Sequence, residues 1–214
     1  MKRRVAILIS GRGSNMAALI QAAAAEDFPA QIVVVVSNRS DAGGLETAKA
    51  SRVPTVTIES KPFGKDRAAF EAVLQPALEQ HQVDLICLGG FMRLFTAEFV
   101  QRWYGRMLNI HPSLLPSFPG LDPQGQALRA GVKISGATVH FVIPETDAGP
   151  ILMQGAVAVR DDDTPDALAA RILAIEHRIY PEALRLLAGG QIRLEGDVCK
   201  TDSGSSGDVL ISPT

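Results

Sequence analysis

A carboxamide and an imidazole two positions apart, Asn109 and His111, together with the carboxylate of Asp147, are the side chains of this sequence best suited to chemistry. Pro112 disfavours the helical region for His111, so the Asn109–His111 segment is extended. Residues i and i+2 of an extended segment face the same way, which puts both polar groups on one side. Such a pair can bind a carbonyl oxygen and donate hydrogen bonds to it as it gains charge. Asp147 lies in the turn Glu145–Pro150, where an Asp ordinarily serves the turn itself. It acquires a chemical role if it meets His111: an imidazole titrates near about 6.5, and a neighbouring carboxylate favours its charged form.

The loop SGRGSN (Ser10–Asn15) is the second candidate. Two glycines let backbone approach a ligand closely, and a helix beginning there offers free N–H groups to a phosphate. The competing reading is a tight turn with Ser14 or Asn15 as N-cap. Met16 occupies the third small-residue position of the dinucleotide fingerprint, and no Lys-Ser/Thr pair follows, so neither a dinucleotide loop nor a triphosphate loop is indicated. His140, mid-strand in TVHFV, reads as structural. His111, His140 and Asp147 lack local metal-ligand spacing, so no metal is expected. His81 reads as a helix end. Glu176 and His177 fall on a C-terminal helix whose charges would ordinarily be solvated.

The elements that must carry these groups follow from periodicity. Continuous apolar runs at Val5–Ile9, Ile32–Ser37, Thr55–Ile58, Leu85–Leu88 and Met107–Ile110 read as buried strands. Between them, helical patterns fall at Asn15–Ala25, near Gly44–Ser51, and at Asp66–His81 with Phe70, Val73, Leu74 and Leu78 on one face. That alternation predicts an α/β fold, a Rossmann-like, doubly wound, mostly parallel sheet with ligands beyond the strands' carboxyl ends. The segment His111–Gly120 is too proline-rich for helix or ladder. After a short helix at Gln126–Ala130, Gly136–Ile143 and Ile151–Val159 read as an antiparallel edge hairpin. Thr164 and Pro165 start a helix with Leu168, Ile172, Ile175 and Ile179 on its apolar face. One domain over 1–198 and a flexible Ser/Gly-rich tail over 199–214 are expected.

Composition narrows the classes. With 46% hydrophobic and 21% charged residues over 214 positions, the chain can bury a full core unaided. A net charge of −2 leaves no broad basic field for nucleic acid or a membrane surface. Two distant cysteines, Cys87 and Cys199, suggest no disulfide framework and fit a reducing, cytoplasmic setting. No run approaches the roughly 20 apolar residues of a spanning helix.

Taken together, SGRGSN (10–15), GGFMRL (89–94), NIHPSLLPSFPGL (109–121), TVHFV (138–142) with Asp147-Ala148-Gly149 downstream, and EHRIYP (176–181) resemble one family. It is that of the folate-dependent phosphoribosylglycinamide formyltransferases, or glycinamide ribonucleotide transformylases, of purine biosynthesis. The resemblance runs from about Val5 to Leu194. Its Asn-x-His-x-Ser-Leu-Leu-Pro run is shared with methionyl-tRNA formyltransferase and formyltetrahydrofolate hydrolase, the two alternatives. The resemblance implies formyl transfer from 10-formyltetrahydrofolate to the amine of 5′-phosphoribosylglycinamide, with no metal, no nucleic acid and no membrane, by a monomer or homodimer. It assigns catalysis to Asn109, His111 and Asp147, the substrate phosphate to Gly13, Ser14 and Asn15, and the ribose to Glu176. Folate contacts fall to Arg67, Met92, Arg93, Leu94, Phe95 and Asn109, and to the turn Ile143, Pro144, Glu145, Thr146 and Asp147. Where the family often has His, three positions after Leu121, this chain has Gln124.

Overall fold

In chain order the strands of the main sheet are β1 (Arg3–Ile9), β2 (Ala30–Ser37), β3 (Thr55–Thr57), β4 (Leu85–Leu88), β5 (Met107–His111), β6 (Ile134–Phe141) and β7 (Ile151–Ala158). The helices are α1 (Ser14–Ala23), α2 (Gly44–Ala50), α3 (Arg67–Gln80), α4 (Ala97–Arg102), α5 (Pro123–Ala130) and α6 (Pro165–Ala188), and a second hairpin joins β8 (Ile192–Glu195) to β9 (Val198–Thr201). This computed structural model describes residues 1–196 and 198–201. The strand order is β3-β2-β1-β4-β5-β6-β7, with parallel pairing from β3 to β5 and antiparallel pairing between β6 and β7. The expected α/β class, mostly parallel with an antiparallel hairpin, is the one observed.

The chain divides into two compact units, Met1–Asn109 and Ile110–Thr214. In the first, Val5–Ile9 and Val34–Val36 are fully sealed from solvent. Burying such aliphatic side chains stabilises by about 1.5–3 kcal/mol each. Strands buried on both faces must be apolar at every position, which is why β1, β2 and β4 read as unbroken runs rather than alternations. Phe70, Leu74 and Leu78 of α3 are buried as expected, but Val73 is 48% exposed and lies off that face. Helix α4, which periodicity did not reveal, has six residues, too few for a repeating stripe.

In the second unit α6 packs its buried Leu168, Ile172, Ile175 and Ile179 under the β6–β7 hairpin. Thr164 caps the helix by accepting the Ala167 amide, with Pro165 at its first turn. Asp163 clasps Arg171 at 2.8 Å, and Arg171 also donates to the Ala158 carbonyl, tying the end of β7 to α6. Val139 and His140 of β6 pair with Met153 and Ile151, so Leu152 is the extra residue of a bulge in β7, a device common beside functional sites. Cys199, Lys200 and Thr201, placed in the tail by sequence, pair with β8 instead, because an alternation of only four residues is too short to stand out in the sequence. Residues 202–214, the rest of that expected tail, lie outside the described residues.

Candidate active site

β5 ends on His111, which is 6% exposed, and the chain then runs into the irregular segment from Pro112 to Gly120. The His111 Nδ1 stands 3.4 Å from Oδ2 of Asp147. Its Nε2 lies 3.0 Å from the Phe118 carbonyl oxygen. A carbonyl only accepts, so Nε2 carries the hydrogen. Acceptor oxygens thus stand beside both ring nitrogens.

Asp147 reaches this position through a strained turn. Its φ of 55° lies in the left-handed region, which Asp tolerates better than most residues. The turn folds tightly against β6: Phe141 donates its amide to the Pro150 carbonyl at 2.9 Å, and a Cβ at position 149 would collide with the Phe141 carbonyl. Gly149 is therefore required by close approach. Asp147 Oδ2 also accepts the Gly120 amide at 2.9 Å, so one carboxylate orients the imidazole and pins the far end of the proline-rich segment.

His140, which its mid-strand position suggests is structural, is buried beside this pair. Its Nε2 is 3.9 Å from Asp147 Oδ1, and its Nδ1 meets the Phe141 carbonyl at 2.9 Å. Burial pushes the His140 pKa below 6.5, against the opposing pull of the Phe141 carbonyl and Asp147. No signal in the sequence foretold this approach, because it depends on how β6 and β7 pair across the hairpin. Despite this clustering, no set of three or more His, Cys, Asp or Glu side chains among the described residues is arranged to hold a metal ion.

In the first unit, Gly13 precedes α1 with φ 71° and no side-chain cap, so neither Ser14 nor Asn15 serves as the N-cap. A left-handed glycine turns the chain there and brings no side chain of its own to cap the first turn. Ser10 accepts the Met92 amide at 2.8 Å, anchoring the segment Phe91–Phe95, which has no regular structure. Glu71, 7% exposed, takes both the amide (2.6 Å) and the hydroxyl (2.5 Å) of Thr96. Arg93 donates to the Gly64 and Asp66 carbonyls and sits 4.7 Å over the Phe70 ring, while Arg67 reaches the Phe95 carbonyl at 3.4 Å. Phe95 stacks on Phe91 and Phe99. Met92 and Leu94 remain 75% and 52% exposed, two apolar side chains held out by a braced backbone.

Asn109 lies on β5 beside Leu88 of β4, two residues before His111 on the same strand. Glu176, on α6, is 6% exposed rather than solvated. In the second unit Ile143, Pro144, Glu145 and Thr146 form the turn that leads to Asp147.

Comparison with known proteins places these features in a family. The formyl transferase family model matches residues 3–184. The phosphoribosylglycinamide formyltransferase of Bacillus subtilis is 40% identical over 187 residues, covering 87% of this chain and 95% of that protein. The trifunctional purine biosynthetic protein adenosine-3 of Bos taurus is 47% identical over 200 residues, 92% of this chain but 20% of that protein. The chain thus spans about one fifth of that relative's length. The crystal structure of glycinamide ribonucleotide transformylase 1 from Symbiobacterium toebii superposes with a TM-score of 0.90 at 46% identity, covering 94% of each chain.

Proposed function

The chain belongs to the formyl transferase family, and we propose that it moves a formyl group from 10-formyltetrahydrofolate to the amine of 5′-phosphoribosylglycinamide in purine biosynthesis. The observation that carries the reading is the approach of Asp147 to His111 at the end of the strand bearing Asn109. The amine nitrogen attacks the formyl carbon, a carbon–nitrogen bond forms, and the carbonyl oxygen gains negative charge. The Asn109 amide and the His111 Nε2–H donate to that oxygen, while Asp147 holds the other edge of the ring. The bond to the folate nitrogen then breaks as a proton passes from the amine to that nitrogen. Because Nε2 meets the Phe118 carbonyl in this structure, His111 must exchange that partner for the substrate oxygen.

On the same reading, the amides from Gly13 through Asn15 receive the substrate phosphate and Glu176 the ribose hydroxyls. The exposed Met92 and Leu94, with Phe95 and Arg67, offer apolar surface to the folate ring, and the resemblance assigns the turn Ile143–Asp147 to the same co-substrate. Arg93 contributes main-chain groups, since its guanidinium is bound to the Gly64 and Asp66 carbonyls. A single cytoplasmic domain, acting as monomer or homodimer on small molecules alone, completes the proposal.

The test is loss of 10-formyltetrahydrofolate with phosphoribosylglycinamide, with tRNA, or with water alone, each with and without a chelator. Turnover that requires phosphoribosylglycinamide and ignores the chelator is expected. Equal turnover in water alone would favour a hydrolase and overturn the reading.

A further inference from the structure

We propose that Gln154 of β7, acting through Thr138 of β6, is a positioning residue that latches the proline-rich segment after His111 and so aims the imidazole; this rests on the formyl-transfer reading above.

The segment from Ser113 to Ser117 belongs to no helix or strand, yet Ser113 is fully buried and Leu115 is 4% exposed. Buried backbone outside a ladder must find other hydrogen-bond partners or be destabilising. Two hairpin side chains supply them. The Thr138 hydroxyl donates to the Ser113 carbonyl at 2.7 Å and accepts the Leu115 amide at 3.0 Å. Gln154 Nε2 donates to the Leu115 carbonyl at 2.9 Å and to the Thr138 hydroxyl at 3.0 Å. Both hydrogens of the Gln154 amide are thereby used. Thr138 and Gln154 are register partners across the hairpin, so the latch is built into one rung of the sheet.

The latch fixes one end of a short span whose other end carries function. Ser113 donates its amide back to the His111 carbonyl at 2.9 Å, and its hydroxyl bonds the Ser117 carbonyl at 2.5 Å, next to Phe118. Phe118 is the residue whose carbonyl meets His111 Nε2, and Gly120 is held by Asp147. Left-handed φ values at Phe118 (56°) and Gly120 (79°) lie just beyond the latched part. The partner exchange required at His111 can therefore be taken up by 118–120 while 113–117 stays put. Misplacing a catalytic group by about 1 Å costs on the order of 10²-fold in rate, so a latch two to four residues from the imidazole bears on turnover as well as stability.

The experiment pairs kinetics with NMR on the full chain. Gln154→Met keeps the length but donates nothing, Thr138→Val keeps the shape without the hydroxyl, and Thr138→Ser restores the hydroxyl. Gln154→Met and Thr138→Val are expected to lower kcat on the order of 10-fold to 10²-fold with KM for both substrates little changed. The His111 ring resonances should move, and Thr138→Ser should recover most of the rate. Should Gln154→Met fail to fold, Gln154→Glu carries the same test, its carboxylate facing the Leu115 carbonyl without a donor. Unchanged kcat with unmoved His111 resonances in folded variants overturns the proposal, as does a Thr138→Ser loss equal to that of Thr138→Val, which would assign the effect to packing. The two readings fail separately. A wild-type chain that transfers no formyl group sinks the functional reading, whereas displaced His111 resonances in Gln154→Met still establish the latch.

Discussion

Asp147 Oδ2 stands 3.4 Å from the Nδ1 of His111 while accepting the Gly120 amide at 2.9 Å. One oxygen thus couples the orientation of the imidazole to the far end of the segment that follows it. Removing the charge therefore disturbs two things at once.

Asp147→Asn keeps the shape but turns one carboxylate oxygen into a donor, which cannot face a ring N–H. We expect kcat to fall by about 10²–10⁴-fold, the usual worth of a positioned acid–base group, with less change in substrate affinity. His111→Ala should be comparably damaging, and the double variant little worse than either alone, because residues acting as a unit are not additive. Steady-state kinetics on the four proteins decides it; multiplicative losses would separate the two residues.

His140 should titrate below 6.5 in the folded protein, since burial penalises its charged form. In the unfolded chain it titrates near about 6.5. As pH falls below that value the unfolded state takes up the proton first, so stability declines until the folded midpoint is passed and then levels. His140→Gln removes this part of the slope. Urea unfolding across the range, with an NMR titration of the ring, tests it; a midpoint at or above 6.5 refutes the expectation.

Asp163 also loses its stabilisation on acidification, but over a lower pH range. Its hydrogen bonds from Arg171, and then from the Arg160 amide, hold its pKa down to about 2 against 3.8 for a free carboxyl. The stabilisation is complete above 3.8 and is lost as pH falls through about 2. Asp163→Asn should be less stable than the native chain near neutrality, with the gap closing on acidification. Urea midpoints at about pH 5 and about pH 2.5 measure the gap, and a constant gap would rule out this linkage.

Glu71→Ala leaves the amide and hydroxyl of Thr96 without their acceptor. The cost should be about 1–3 kcal/mol, and Thr96→Ala, which removes the α4 cap, should cost about 1 kcal/mol. Because both variants break the same bond, the double variant should cost less than the sum. Chemical denaturation of the three variants gives the coupling directly, and strict additivity would show the two residues to be independent.

Gly13→Ala meets a left-handed backbone and a Cβ only 3.1 Å from the Gly44 Cα. The left-handed conformation alone costs about 1–2 kcal/mol for a residue with a side chain. The free protein should lose that much stability, and affinity for phosphoribosylglycinamide should fall by more than affinity for the folate. Urea melts and titration calorimetry with each ligand separate the two effects; undiminished phosphoribosylglycinamide affinity would return SGRGSN to a plain turn.

The sequence by itself determined the parallel α/β frame, because strands buried on both faces must be apolar throughout and the helices between them must carry a 3.6-residue stripe. It also named Asn109 and His111, since their shared orientation follows from one extended strand and a following proline. It could not show that His140 joins Asp147, that Glu176 and Glu71 are buried, or that Gln154 reaches the Leu115 carbonyl. Asp147 met His111 only as a conditional expectation, for the approach depends on a left-handed residue and on Gly149 pressed against β6. Each of these is a long-range event: a bulge, a tight turn, a side chain spanning from one strand to a loop. Local periodicity carries no record of such events, because the physical cause lies in which distant backbone groups need a partner once the hairpin has formed.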